Sequence, residues 1–417
     1  MKKLLFFLLI IADLASAQTY NWKSLSSPPS TTGRYDDVFF LNENIGWAAR
    51  GGNGTVFKTT NGGVSWTEQI VSSTTGQYFR NIEFLNENIG FVGTLNNNFY
   101  KTVNGGTTWT KVNNISPNPP AICGLDAVGT STVYGCGAWF SPAYVIKSTD
   151  SGSTWKFIDM SAYATALVEI MFIDENVGFV SGGDDQGAVI LKTIDGGESW
   201  TQIYRTNEPG DYVWKMQIFE DQKKMFCSIE SETQGKLLKT LDGGINWQTK
   251  NFPDPYVQAV GFVSETHGWM GGHNSGFIET FDGGTTWVNN NLGGSLNRIF
   301  FVNNNVAFAS GNHIYKMTTT GLATNETENE KVINLKIEVV PNPIKDKLNL
   351  NIQYLHSDHI IIGLYDLTGK YLGNILKDDV SSKGLKKYSL DFNYPVGEYI
   401  LAVHSNLGRQ SIKIVKK

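Results

Sequence analysis

Cysteine, charge and long apolar runs are all scarce in this chain, and each shortage removes a class of protein. Three cysteines among 417 residues cannot build a disulfide framework, and without a Cys-x-x-Cys pair they argue against a structural zinc site. Charged residues make up only 18% of the chain, against about 25% in ordinary soluble domains. Residues 18–320 hold 19 Lys and Arg against 27 Asp and Glu, net −8, so this part is a poor binder of nucleic acid or other polyanions. No stretch reaches the roughly 20 apolar residues that span a bilayer. Helical periodicity is nearly absent, and no His-Glu-x-x-His, phosphate loop or Ser-His-Asp arrangement occurs. No metal and no cofactor are therefore expected. What is present is 41% hydrophobic and 12% aromatic residue content, enough to bury a sizeable core in two or three domains.

The first seventeen residues carry an address. Lys2 and Lys3 precede the apolar run Leu4 to Ala12, and Ala15-Ser16-Ala17 offers a small-x-small cleavage site. That pattern reads as a secretory signal peptide over 1–17, with the mature chain starting at Gln18.

A repeat follows. KTTNGGVSW (58–66), KTVNGGTTW (101–109), KSTDSGSTW (147–155), KTIDGGESW (192–200), KTLDGGINW (239–247) and ETFDGGTTW (279–287) share one phrase. Their tryptophans, Trp66, Trp109, Trp155, Trp200, Trp247 and Trp287, recur at 43, 46, 45, 47 and 40 residues, the period of a four-stranded propeller blade. Each phrase has Asn61, Asn104, Asp150, Asp195, Asp242 or Asp282 ahead of a glycine-containing turn. Such residues bond nearby amides while Gly accepts positive φ, so the motif is a structural turn between third and fourth strands. Residues 298–318 supply three further strands without a fourth, and TYNWKSLSS (19–27) carries Trp22 in the repeat's tryptophan position. Joining these halves predicts a ring of seven blades over 18–320, whose last blade is closed by the strand at 19–27.

The repeat resembles the Asp-box (BNR) propellers, and with its preceding Gly-aromatic strand it looks closest to the Ycf48/Hcf136-like family. Residues 321–331 (GLATNETENEK) form a polar linker. Beyond it tryptophan vanishes, and alternating segments such as KLNLNIQY (347–354) and IIIGLYDL (360–367) predict a small Ig-like β-sandwich over 332–417. Pro341-Asn342-Pro343, LYDLTGK (364–370), PVGEYILAV (395–403) and the final IKIVKK (412–417) resemble the type A C-terminal sorting domain of type IX secretion cargo in Bacteroidota. That resemblance implies recognition of residues 332–417 by the type IX machinery, passage through the periplasm, and secretion or attachment at the outer cell surface. The fold class expected is therefore all-β, a seven-bladed propeller followed by a small sandwich, acting as a monomer.

Function is expected on the rim away from the box turns, where loops sit on a rigid scaffold. Arg34, Arg80, Trp139, Tyr144, Tyr212, Trp214 and Arg298 are the ligand-binding candidates there, suited to a protein or glycan partner. The alternatives are an extracellular glycoside hydrolase, whose weak catalytic candidates are Asp184, Asp185 and Asp36, and a structural or adhesive surface component. A hydrolase needs two carboxyl groups across a cleft. Cys123 and Cys136 fall nearly opposite each other on a predicted hairpin, which leaves open a disulfide or two small buried residues.

Overall fold

The computed structural model describes residues 18–25, 33–52, 54–69, 76–137, 142–219, 221–321, 336–354, 358–366, 371–380, 382–405 and 408–417. Residues 1–17, read from sequence as a signal peptide, nearly all of the expected linker at 321–331, and Trp139 lie outside the described residues. The regular elements are all strands. The chain divides into two compact units, Asn21–Thr318 and Thr319–Lys417, the latter together with the residues up to Tyr20.

In the first unit each repeat period gives one four-stranded sheet whose strands follow in sequence order. The six sheets formed this way open with Tyr35–Phe40, Phe79–Phe84, Gly124–Val128, Ala166–Phe172, Tyr212–Ile218 and Val257–Phe262. A seventh has Arg298–Asn303, Val306–Ser310 and Ile314–Gly321, with Gln18–Ser24 in the fourth place. The opening strands of consecutive sheets lie against one another, and Arg298–Asn303 lies against Tyr35–Phe40 in the same way. The sheets thus succeed each other in a cycle, with their first strands innermost.

The local causes are those of the repeat. Between first and second strands, Asn42 Oδ1 accepts the amides of Asn44 and Ile45 at 2.9 and 3.0 Å, and Asn86, Asp174 and Asp221 cap the equivalent turns. Between third and fourth strands, Asp195 Oδ1 accepts the Ser199 amide at 2.9 Å and the Thr193 hydroxyl at 2.8 Å. Gly196 and Gly197 take φ of 71° and 86° there, a region open to glycine at little cost. The two turns join, because the Gly196 amide donates to Asn176 O at 2.8 Å. Both turn types therefore occupy one end of the sheets.

Neighbouring sheets are joined by a repeated aromatic stack. The second-strand aromatic of one sheet lies flat on the last aromatic of the next sheet's first strand: Trp47 on Phe84 (3.6 Å between centroids), Tyr134 on Phe172 (3.5 Å) and Phe226 on Phe262 (4.1 Å). Phe308 of the seventh sheet stacks on Phe40 of the first at 3.4 Å. The Gly of each Gly-aromatic pair makes room for that ring; a Cβ on Gly90 would meet Phe84 at 2.3 Å. A lysine on the third strand adds a hydrogen bond to the next box turn, Lys147 Nζ to Gly196 O (2.8 Å) and Lys316 Nζ to Gly62 O (3.1 Å) among them. The box tryptophans pack back onto the preceding sheet: Trp155 edges Phe91 and Phe99, and Trp247 Nε1 donates to Ile203 O at 3.1 Å. Burying rings of this size is the largest local source of cohesion between sheets.

The second unit has two sheets. One pairs Lys336–Val339, Lys347–Tyr354 and Gly384–Asp391; the other runs Tyr371–Val380, Asp358–Asp366, Gly397–Ser405, Gly408–Lys416. Lys347–Tyr354 alternates in burial, so Leu348, Leu350, Ile352 and Tyr354 enter one core with Ile362, Leu364, Phe392, Leu401 and Val403. The two end motifs of this unit meet. Asn342, between its two prolines, donates from Nδ2 to Lys413 O (3.1 Å) and accepts the Val415 amide at Oδ1 (2.9 Å).

Cys123 and Cys136 are not joined by a disulfide. Gly124 is the residue opposite Cys136, so Cys123 sits one pleat away and points to the other face. Cys123 packs with Val168 and Trp214, whereas Cys136 packs with Tyr134 and Val145.

Candidate functional site

The inner strands carry charge at two levels. Nearer the box turns stand Asp37, Glu83, Asp126, Glu169, Lys215 and Arg298, contributed by six of the seven sheets. Arg298 Nη1 lies 3.4 Å from Asp37 Oδ1 in the adjacent first sheet and 3.7 Å from Glu169 Oε1 in the fourth. Since the seventh and fourth sheets are separated by others in either direction, this contact spans the centre of the cycle. Lys215 Nζ donates to Glu169 Oε2. Four carboxyls thus face two cations; Asp37, Glu83, Glu169 and Lys215 are buried, and Asp126 and Arg298 are partly so. Burial, followed by the neighbouring acids, pushes Glu83 well above the carboxylate range. Burial also raises Asp126 to about 7, although Asp126 accepts the Phe172 amide. Among the described residues no three His, Cys, Asp or Glu side chains are placed to hold a metal ion.

At the end of the inner strands opposite the box turns, the side chains open into a cavity of about 220 Å³. Its lining includes Arg34, Tyr78, Arg80, Trp214, Gln258 and His273, drawn from four sheets. Leu95, Cys123 and Val168 supply apolar wall. Asp36 organises the cations from behind: its Oδ1 accepts Arg34 Nε (2.7 Å), Arg80 Nη1 (3.0 Å) and Asn297 Nδ2 (2.8 Å). Arg80, only 5% exposed, lies over the Trp214 ring at 5.2 Å. Among the described residues its buried Nη2 has no hydrogen-bond partner, a costly state for a charged donor.

At the mouth, Arg34 Nη1 donates to Gln258 Oε1 at 3.0 Å and faces His273 Nδ1 at 3.1 Å. Gln258 Nε2 donates to Glu230 Oε2 at 3.0 Å and faces His273 Nε2 at 2.9 Å. Burial, then Arg34 and Arg80, lowers His273 to about 4, so its ring is neutral near pH 7. Burial raises the Glu230 carboxyl.

The residues singled out from sequence divide. Arg34, Arg80 and Trp214 come together at the cavity, and Tyr212 packs beside Trp214 against Cys123 and Val168. Tyr144 does not reach a rim: it is 1% exposed, stacks on Phe157 at 4.9 Å and bonds Ala121 O through its hydroxyl. It opens a strand whose alternation turns it inward. Arg298 belongs to the deeper charge cluster, one pleat from the cavity. Asp184 is held by Arg205 at 2.8 Å and caps the Gln186 amide, which lowers its pKa, while Asp185 is exposed beside it. Asp36 is buried beneath two guanidiniums rather than presented to the cavity. The sequence reading passed over Gln258, Glu230, Asn297 and Glu83. Their signal is departure from the repeat: Glu83 stands where the first and seventh sheets carry Phe39 and Phe300, each opposite the second-strand aromatic.

Comparisons with known proteins accord with this architecture. Residues 9–97 match the family model described as photosynthesis system II assembly factor YCF48, and residues 338–417 match that of the secretion system C-terminal sorting domain. No curated protein matches. Among solved structures, YCF48 bound to D1 peptide is 17% identical with a TM-score of 0.55, covering 72% of this chain and 97% of that one. YCF48 from Cyanidioschyzon merolae is 19% identical with a TM-score of 0.56, covering 71% and 98%. PorZ, a surface component of the type-IX secretion system of Porphyromonas gingivalis, is 12% identical with a TM-score of 0.53, covering 95% of this chain and 61% of its own length. The first unit thus has the β-propeller fold of YCF48 and PorZ. The C-terminal sorting domain marks the chain for secretion to the cell surface or beyond.

Proposed function

We propose that this chain is a secreted or surface-held binding protein whose seven-bladed propeller captures a ligand in the cavity at the inner ends of its blades. The observation that carries the reading is the convergence of Arg34, Arg80 and Trp214 on one cavity, with a buried guanidinium nitrogen of Arg80 left unpartnered. A rigid ring closed by the strand Gln18–Ser24 holds these groups in fixed geometry without ligand, which favours capture over folding around a partner. Support from outside the chain is that a propeller of this fold, YCF48, holds a D1 peptide.

Binding is tested with the full exported chain on glycan and peptide arrays. Trp214→Leu keeps an apolar filler beneath Arg80, so the variant is expected to retain its thermal unfolding profile while capture falls at least tenfold. Unchanged capture by a folded variant would refute the cavity as the site.

The tail, in this reading, delivers the protein through the type IX machinery. Deleting residues 332–417 is expected to leave the propeller in the periplasm, as scored by fractionation and immunoblotting. Continued secretion of the truncated chain would refute that role.

A further inference from the structure

We infer that the cavity selects its ligand by a single carboxylate carried on a compact apolar body. This rests on the proposal that the cavity is the binding site, and adds the chemistry of what enters it.

Charge comes first. Arg34 and Arg80 share one carboxylate, Asp36, so the pair leaves one positive charge uncompensated. Of the other titratable groups at the cavity, the His273 ring is neutral near pH 7, and the Glu230 carboxyl, raised by burial, accepts its bond from Gln258 Nε2. A ligand carboxylate supplies the acceptor that the arginine pair lacks.

The donor inventory agrees. Arg80 spends Nη1 on Asp36, and its buried Nη2 faces no acceptor. His273 is caught between two donors. Arg34 Nη1 can only donate, and Gln258 Nε2, fixed by its bonds to Arg34 and Glu230, also points a hydrogen at the ring. A neutral imidazole has one acceptor nitrogen, so one of the two contacts sets N–H against N–H. Turning the Gln258 amide over only moves the mismatch to Arg34. A ligand oxygen seated between Arg34 and His273 accepts from both and removes it. A carboxylate has a second oxygen for Arg80, and charge-assisted bonds of this kind are about twice as strong as neutral ones.

The body of the ligand follows from the wall. Leu95, Cys123, Val168 and the Trp214 ring offer apolar surface to the body of a ligand, beside the polar groups already described. A dry cavity of about 150 Å³ holds benzene, and this one measures about 220 Å³, room for one small ring and its acid group.

Benzoate, its neutral isostere benzamide, and glucuronate are the probes, read by calorimetry and saturation-transfer NMR on the full chain. Saturable benzoate binding, at least tenfold tighter than either other probe and lost in Arg80→Gln, is the expected result. Arg34→Gln serves the same comparison should the buried Arg80 substitution fail to fold. Equal binding of benzamide, abolished with benzoate in Trp214→Leu, would overturn the carboxylate requirement and leave the cavity as a binding site. Glucuronate binding tighter than benzoate would overturn the apolar body. Benzoate binding that survives both arginine substitutions would overturn the assignment of the acceptor groups. Binding of none of the probes would overturn this inference, whereas the arrays with Trp214→Leu judge the cavity itself.

Discussion

Replacing Arg298 with methionine is expected to lower the unfolding free energy of the propeller by about 3–5 kcal/mol, the usual cost of removing one partner from a buried charge group. Methionine preserves much of the arginine stem, so the loss isolates the charge. Arg298 is the cation that reaches Asp37 in the adjacent first sheet and Glu169 across the centre of the cycle. Without it Asp37, Glu83, Asp126 and Glu169 face Lys215 alone. Burial penalises each ionised carboxyl that lacks compensation, and the protein must take up protons or open the centre to water. Urea unfolding followed by tryptophan fluorescence measures the change, with an unaltered slope expected if only stability is affected. A loss below about 1 kcal/mol would mean that water already solvates the cluster and that the cross-centre contact contributes little.

The second large effect is a dependence on pH that runs against the usual direction for carboxylates. Asp126 is raised from 3.8 to about 7, and Glu83 is raised well above its ordinary range. In the interval between the unfolded and folded values the native state binds more protons, so stability falls as pH rises. The penalty is absent below about pH 4 and complete above about pH 7 for Asp126. Groups facing this site are Arg298, Glu169, Glu83 and the amides of Phe172 and Ala127.

Two other sets titrate elsewhere or oppositely. Asp150, Asp195 and Asp242 are lowered to about 2 by hydroxyl, amide and side-chain donors in their turns, so their contribution is lost only as pH falls from about 4 toward 2. His273, lowered from 6.5 to about 4, adds stability as pH rises through that window. Comparing Asp126→Asn with the parent chain cancels these terms. The variant keeps an acceptor for the Phe172 amide and is expected to be more stable by about 1–3 kcal/mol at pH 8, allowing for partial access of water. It should converge with the parent near pH 4. A variant less stable than the parent at pH 8 would show that Asp126 is ionised and needed by Arg298.

How much was readable in advance depended on the range of the interaction. Thr193, Asp195, Gly197 and Ser199 bond one another within a span of seven residues, so sequence spacing alone announced the turn. Trp66 and its counterparts were likewise legible as a strand marker, since a blade recurs with them. Gln18–Ser24 lies beside Ile314–Gly321 in one sheet, and in sequence a strand lacking a partner and a sheet lacking a strand both carry the repeat's signature. Local reasoning failed where alternation decides. Tyr144 and Arg298 were both placed on a rim, but one pleat turns Tyr144 into the wall and separates Arg298 from its neighbour Asn297 behind the cavity. Trp139, a ligand-binding candidate from sequence, lies outside the described residues.

The sequence by itself determined the all-β class, the repeat period, the turn chemistry and the C-terminal sorting motifs, since each rests on composition or on residues close together in the chain. Only the tertiary structure decided what the charged residues do. Arg34 meets His273 across 239 positions, and Arg298 meets Asp37 and Glu169 from another sheet. Which of two adjacent residues enters the cavity and which enters the charge cluster is fixed by the β-bulges at Val168 and Trp214 and by the cycle of sheets. That geometry is long-range, and it gives the same residue types burial, partners and ionisation that no stretch of sequence carries.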